Sequence, residues 1–310
     1  MIVRPPPTML QLAYLLRGSV VPKILPQLTV TALVGVLVIV LHRLEPAYVP
    51  SVTGLPFALI GIALSIFLGF RNNACYDRWW EARKQWGELI AVSRALGRQS
   101  LVLQRGEDDA AGRAERAALL EETGVFAHLL VAHLRPQLPS VPARPAFDPA
   151  LWLTEAGPAA NRPDAVLRSL SVRLARLRAE GRLGDIPWQM LESSVDRLGN
   201  VQAACERIRA TPLPYAYTLL LHRTAYLFCF LFPLGFVDTL GWMTPFCSAL
   251  VAYAFFGLDA LGVELENPFD DTDHALPLSA MARTIEIGLL EAMGETDLPA
   301  PVAPVEHILM

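Results

Sequence analysis

Residues 48–70 read YVPSVTGLPFALIGIALSIFLGF, and Arg71-Asn72-Asn73 follow at once. No charged side chain falls in the run, which exceeds the roughly 20 apolar residues that a helix needs to cross about 30 Å of hydrocarbon. The pattern predicts a membrane-crossing helix whose apolar part ends abruptly at Arg71. Composition agrees: 53% of the 310 residues are hydrophobic and 18% are charged, too apolar for an ordinary soluble chain of this length.

Three further runs share this character. Residues 24–41 carry no charge, and a polar break at 42–47, with Arg43 and Glu45, separates them from the second run. Residues 214–237 are interrupted by His222-Arg223; residues 239–258 follow after Asp238 and are closed by Asp259. The last two predict a hairpin. Pro212, Pro214 and Pro233 would shorten or kink its helices, and a pair buried in a protein core is the alternative for them. Bases cluster before the first run (Arg4, Arg17, Lys23) and after the second (Arg71, Arg78, Arg83, Lys84, Arg94, Arg98), which places both flanks, and hence both termini, on the cytoplasmic side of a plasma (inner) membrane.

The expected class is all-α: a multi-pass membrane protein with four transmembrane helices and a helical cytoplasmic region. The segments are 1–23 (cytoplasmic or interfacial), 24–70 (first two crossings), 71–210 (cytoplasmic helices), 211–262 (last two crossings) and 263–310 (cytoplasmic tail). Within the charged middle, Leu167, Leu170, Leu174 and Leu177 recur at helical spacing, whereas the Pro-rich stretch 134–163 reads as a link between helices. Pro5-Pro6-Pro7 and the following MLQLAYLL read as an extended entry into a short surface helix, and no cleavable signal is expected. Cys75, Cys205, Cys229 and Cys247 form no CxxC pair and read as packed thiols. A net charge of -4 gives no global field for nucleic acid.

On the second run, Ile62, Ile66 and Phe70 recur every four residues and share an apolar stripe. Shifted by one residue, Gly61, Ser65 and Gly69 form a small-residue stripe that would let helices approach closely. By periodicity alone, the apolar stripe faces lipid and the small one packs on the first helix. In a symmetric assembly the apolar stripe would instead build hydrophobic rings that gate by dewetting.

The string GLPFALIGIALSIFLGFRNNACYDRWWEARKQWGELI, residues 54–90, with its Arg78-Trp79-Trp80 element, resembles the bestrophin family of ion channels. The resemblance continues at TPLPYAY (211–217) and ELENPFDDTDHALPL (264–278). It implies a homo-pentamer in the lipid bilayer that conducts small monovalent ions through a neck at Ile62, Ile66 and Phe70. It also implies a second constriction at the cytoplasmic exit, on Ile186, or on Leu183 if the alignment shifts. By family the cargo is chloride and other anions; the bacterial branch includes members that pass cations such as sodium. Animal members bind calcium in an acidic clasp after Asn-Pro-Phe. Here Glu264, Asn267, Asp270, Asp271 and Asp273 keep oxygens, but Thr272 and Ala275 replace expected acids and His274 interrupts them. The clasp reads as degraded, so no metal or cofactor is expected. Asp77, Arg78, Trp79 and Trp80 read as a structural anchor.

No catalytic motif stands in a suitable setting, so no enzyme is expected. His128 and His133 lie five apart, a poor metal pair, and read as ordinary helix residues. A secondary transporter, with His222, Arg223, Asp238 and Asp259 marking its path, is the rival, although no inverted repeat is visible. A scaffold docking a soluble cytoplasmic partner is a third class.

Overall fold

The computed structural model describes residues 1–4, 8, 18–45, 53–106, 108–137, 142–157 and 159–309. The expected surface helix after Pro7 lies outside them. Nine α-helices occur among the described residues: α1 Val21–Leu44, α2 Leu55–Gln99, α3 Ala110–Leu134, α4 Pro149–Ala156, α5 Arg162–Ala179, α6 Asp185–Ala210, α7 Tyr215–Leu240, α8 Thr244–Glu266 and α9 Leu278–Met293. No β-strand occurs among the same residues, only isolated bridges. The chain divides into two compact units, one of Arg4–Trp79 with Pro212–Pro268, the other of Met1–Val3, Trp80–Thr211 and Phe269–Met310.

The first unit is the apolar one. It holds α1, the first part of α2, α7 and α8, and all four helices contribute to one core: Ile24, Leu64, Leu68, Leu221, Ala225, Phe228, Cys229, Ala252 and Phe256. α7 and α8 form the expected hairpin through a tight turn at Gly241, whose positive φ of 52° suits a residue without a side chain. Glycine and phenylalanine alternate where α2 meets α7. A Cβ on Gly54 would stand 2.7 Å from the Phe236 ring, one on Gly61 2.9 Å from Phe228, and one on Gly235 would overlap Phe57. Each ring fills the hollow that the opposite glycine leaves, so the helices approach closely without a void. At one end of the unit His42 pairs with Asp238 at 3.0 Å, and the Arg43 guanidinium lies 5.9 Å from the centre of the Trp242 ring.

Two helices run on past their apolar parts, for one reason. α2 does not stop where its apolar run does but continues to Gln99 as a 45-residue helix. α8 likewise runs through Asp259 to Glu266. A charge normally marks the end of an apolar helix because it must reach water, yet Arg71 and Asp259 neutralise each other inside the protein, at 2.7 Å. Beyond Arg71 the chain has no proline before Gln99 and supplies good helix formers such as Glu81, Ala82, Arg83 and Lys84, so nothing stops the helix.

The second unit is a charged helical bundle around α3. That helix is long and apolar enough to cross a membrane, but 72% of its most apolar stretch is buried inside the protein, against 17% for α2, so it is a core helix. Its second half, 124–134, is apolar nearly all round, as a fully surrounded helix should be. Its first half carries the acids that Arg173 bridges, Glu115 at 2.9 Å and Glu122 at 2.5 Å. Leu167, Leu170, Leu174 and Leu177 of α5 are all buried, as their spacing predicts. The Pro-rich link contains one 3₁₀ turn, Pro145–Phe147, and the short α4. Phe147 of that turn is fully buried against Gly124, whose Cβ would overlap the ring. Gly124→Ala is therefore expected to cost about 1–3 kcal/mol by overpacking, read as a lower melting temperature in detergent; an unchanged melt would mean that the ring yields freely.

His128 and Glu286 meet in this core at 3.2 Å, and the Arg144 backbone N–H donates to the same carboxylate at 3.0 Å. Burial pushes the Glu286 carboxyl up, but the bond from His128, the Arg144 N–H and the charge of Arg283 outweigh it and hold the group below its ordinary 4.5. A carboxyl depressed by folding contributes stability above its unfolded pKa and loses it as pH falls through the folded one. Glu286→Gln should therefore flatten the fall in melting temperature below about pH 4.5, and an unaltered acid limb would refute the coupling.

The tail beyond Pro299 is extended and returns to the N-terminus. The Met1 amino group donates to the Leu309 carbonyl at 2.5 Å and Val3 N–H to the His307 carbonyl at 2.9 Å. Glu306 and His307, both at positive φ, form the two-residue turn between Val305 and Ile308. Cys75, Cys205 and Cys229 are fully buried and Cys247 is half-buried; none is in a disulfide.

Candidate pore-lining face

α2 packs on its own unit through Leu64, Leu68, Arg71 and Cys75, all buried. Ile62 and Ile66 lie two residues from Leu64 and Leu68, about 200° around the helix, and therefore point away from that contact. Their exposure follows: 59% for Ile62, 52% for Ile66 and 60% for Phe70. Three large apolar side chains on successive turns are thus left more than half exposed. The structure divides the small-residue stripe beside them. Gly61 receives Phe228 of α7, whereas Gly69 has nothing within 4 Å of a built Cβ and Ser65 is exposed, its hydroxyl donating to the Ile62 carbonyl at 2.7 Å.

Immediately after Phe70, Arg71 is fully buried. Its Nη1 donates to Asp259 Oδ1 at 2.7 Å and to the Asp259 carbonyl at 3.3 Å, and Nη2 reaches Glu266 Oε2 at 3.5 Å. His222 Nδ1 meets the other Asp259 oxygen at 2.7 Å. One carboxylate so joins α2, α7 and α8, while Lys23 of α1 pairs with Glu264 of α8. A Cβ on Gly262 would lie 2.6 Å from Asn72 Oδ1 and 3.2 Å from Arg71 Nη1, so α8 packs closely on these side chains of α2. Tyr217 adds a bond to the Phe67 carbonyl at 3.1 Å. The segment that carries the exposed stripe is therefore held on its opposite side by a buried ionic network.

That network escaped the sequence reading. His222, Asp238 and Asp259 were candidates for a transport path, and the structure gives each a fixed partner: Asp259 for His222, His42 for Asp238, Arg71 for Asp259. The available signal was the pair itself, a lone base ending one apolar run and a lone acid ending another. Of the proposed anchor, Arg78 donates through Nε to the Glu266 carbonyl at 3.0 Å. Asp77 is exposed.

In the second unit Ile186 stands in the first turn of α6 with 82% of its surface exposed, the highest value among its large apolar side chains. Leu183, the alternative position, is 3% exposed and belongs to the core. Beside Ile186, Asp185 pairs with Arg178 at 2.8 Å, and that guanidinium lies 4.4 Å over the Trp188 ring. The loop after Phe269 is braced by Arg135, which donates to the Phe269 and Leu276 carbonyls, each at 2.6 Å. Asp270 and Asp271 are exposed and Ala275 is buried. Among the described residues no three His, Cys, Asp or Glu side chains come together as a metal site. His128 and His133 do not converge; each has its own carboxylate, Glu286 and Glu206, at 3.2 Å.

The long apolar helices α1, α2, α7 and α8, their shared core and an exposed apolar stripe define an all-α, multi-pass membrane protein. Residues 1–291 match the family described as Bacterial/Fungal Bestrophin protein. A voltage-dependent anion channel-forming protein of Mesorhizobium japonicum is 44% identical over 306 residues, covering 99% of this chain and 96% of its own length. One so named from Escherichia coli K12 is 39% identical over 309 residues, covering 99% of each. The crystal structure of a bacterial bestrophin homologue from Klebsiella pneumoniae superposes with a TM-score of 0.79 at 36% identity, over 88% of this chain and 99% of that one. The chain belongs to the bacterial and fungal bestrophin family, whose members are named for channel formation and not for catalysis.

Proposed function

We propose that the chain is one subunit of a homo-pentameric channel in the plasma (inner) membrane, with both termini cytoplasmic, that conducts small monovalent ions, anions such as chloride first among them. The observation that carries this is the turning-out of Ile62, Ile66 and Phe70: three large apolar side chains on successive turns of α2 stand more than half exposed, opposite its buried contact face. A lone subunit cannot enclose a lumen with it, and copies around an axis can. Ser65 and Gly69, small and uncovered beside the stripe, suit the close approach of a neighbouring α2. Anion conduction draws support from the names of the relatives, and sodium conduction from the bacterial branch that the sequence resembles.

Ile186, exposed where Leu183 is packed, supports a second constriction at the exit. Calcium has no role in this proposal: Thr272 and Ala275 stand where acids would be needed, and a guanidinium, Arg135, already bonds the carbonyls of the same loop. Purified protein in a planar bilayer should give resolvable unitary currents that are indifferent to micromolar calcium, and its detergent-corrected mass should be that of a pentamer. A monomer or dimer, or the persistent absence of unitary events, would sink the proposal.

A further inference from the structure

We propose that Asp77 is a specificity-determining residue: a carboxylate that tempers the channel's preference for anions by enriching cations, and depleting anions, on the inner side of the neck. The proposal rests on Ile62, Ile66 and Phe70 lining a lumen and goes beyond it by naming the charge that lumen meets next. Asp77 lies seven residues past Phe70 on the same uninterrupted helix. Seven residues are about 700°, within about 20° of two full turns, so Asp77 continues the Phe70 face some 10 Å further along.

Its surroundings set it apart from the neighbouring charges of α2. Arg71 is buried and paired with Asp259 and Glu266, and Arg78 is bonded to the Glu266 carbonyl. Asp77 is exposed and forms no ion pair with any described residue. The two arginines nearest in sequence are thus turned toward α8 and spent there, while the carboxylate between them is left on the stripe's side. Asn73, between Phe70 and Asp77, is exposed and neutral. The side chains of the stripe carry no charge, so the first fixed charge along this face after the apolar rings is negative. At about 10 Å it lies near one Debye length of physiological salt, close enough to change which ions reach the ring of Phe70.

The test is the chloride-to-sodium permeability ratio of purified protein in planar bilayers, from reversal potentials in a NaCl gradient. Asp77→Asn should raise the ratio roughly two- to tenfold, Asp77→Lys should raise it further, and Asp77→Glu should leave it near the parent value. A merely structural role would not order the variants by charge. The unaltered protein provides a second measure, because its ratio should climb as total salt is raised and the carboxylate is screened. A ratio that ignores both charge and salt overturns the proposal. Ile66→Ala, recorded in the same preparation, separates the two levels: a changed current with a flat Asp77 series rejects the role of Asp77 alone, and an unchanged current rejects the neck together with it.

Discussion

Shortening Ile66 to alanine is expected to raise the current through the purified protein, in open probability or in conductance, by on the order of tenfold or more. Each replacement removes about three carbons from the proposed neck, at about 0.8 kcal/mol per methylene, so the cost of wetting it would fall by roughly 2 kcal/mol per subunit. Repeated around an axis, that change is large compared with the 1.4 kcal/mol that separates a closed from an open majority by a factor of ten. Ile66 is the middle of the three exposed side chains, with Ile62 and Phe70 one turn to either side, so in the proposed pore its ring would have apolar neighbours above and below. Single-channel recording supplies the measurement. A conductance and open probability equal to those of the parent would mean that the stripe faces lipid, the assignment that periodicity alone favours.

Arg71→Met should be among the most destabilising single replacements in the protein. The substitution leaves Asp259, 5% exposed, with only His222 as counter-charge, and leaves Glu266 short of a donor. Breaking a buried pair on one side typically costs about 3–5 kcal/mol, because the remaining charge stays in a poorly solvating place. Melting temperature in detergent reads the loss. Arg71→Met combined with Asp259→Leu should recover a substantial part of it, since the double replacement removes the stranded charge. If the double variant is as unstable as the sum of the two single ones, the residues are not energetically coupled and the ionic network does not position α2.

These two results probe opposite sides of one helix, and the two sides were unequally legible in the sequence. The outward stripe was visible because Ile62, Ile66 and Phe70 repeat at a helical period, and a period needs no knowledge of the rest of the chain. The inward side was not. Arg71 reads as the end of a span and Asp259 as the end of another, because a charge beside an apolar run is normally solvated; their pairing joins positions 188 apart, which local pattern does not reveal. The continuation of α2 and α8 beyond their apolar parts hangs on that pairing. Leu167 to Leu177 were recognised as a buried face by spacing, whereas the burial of α3 depends on Arg173 and Glu286 arriving from other helices to satisfy Glu122 and His128. The small-residue stripe was found as a pattern, and its division between Gly61, filled by Phe228, and the open Gly69 is a tertiary fact.

The native thiols have a practical consequence. Burial pushes the Cys205 thiol, in the charged unit, up to about 12, so at neutral pH it carries almost no reactive thiolate. Cys75 and Cys229 are shielded by packing, which leaves Cys247, half-buried on α8, as the least covered of the four. With that residue replaced by serine, the protein becomes a quiet background for labelling, and a single cysteine introduced at Ile62, Phe70, Asp77 or Ile186 would report its own access to reagents added from either side of the bilayer.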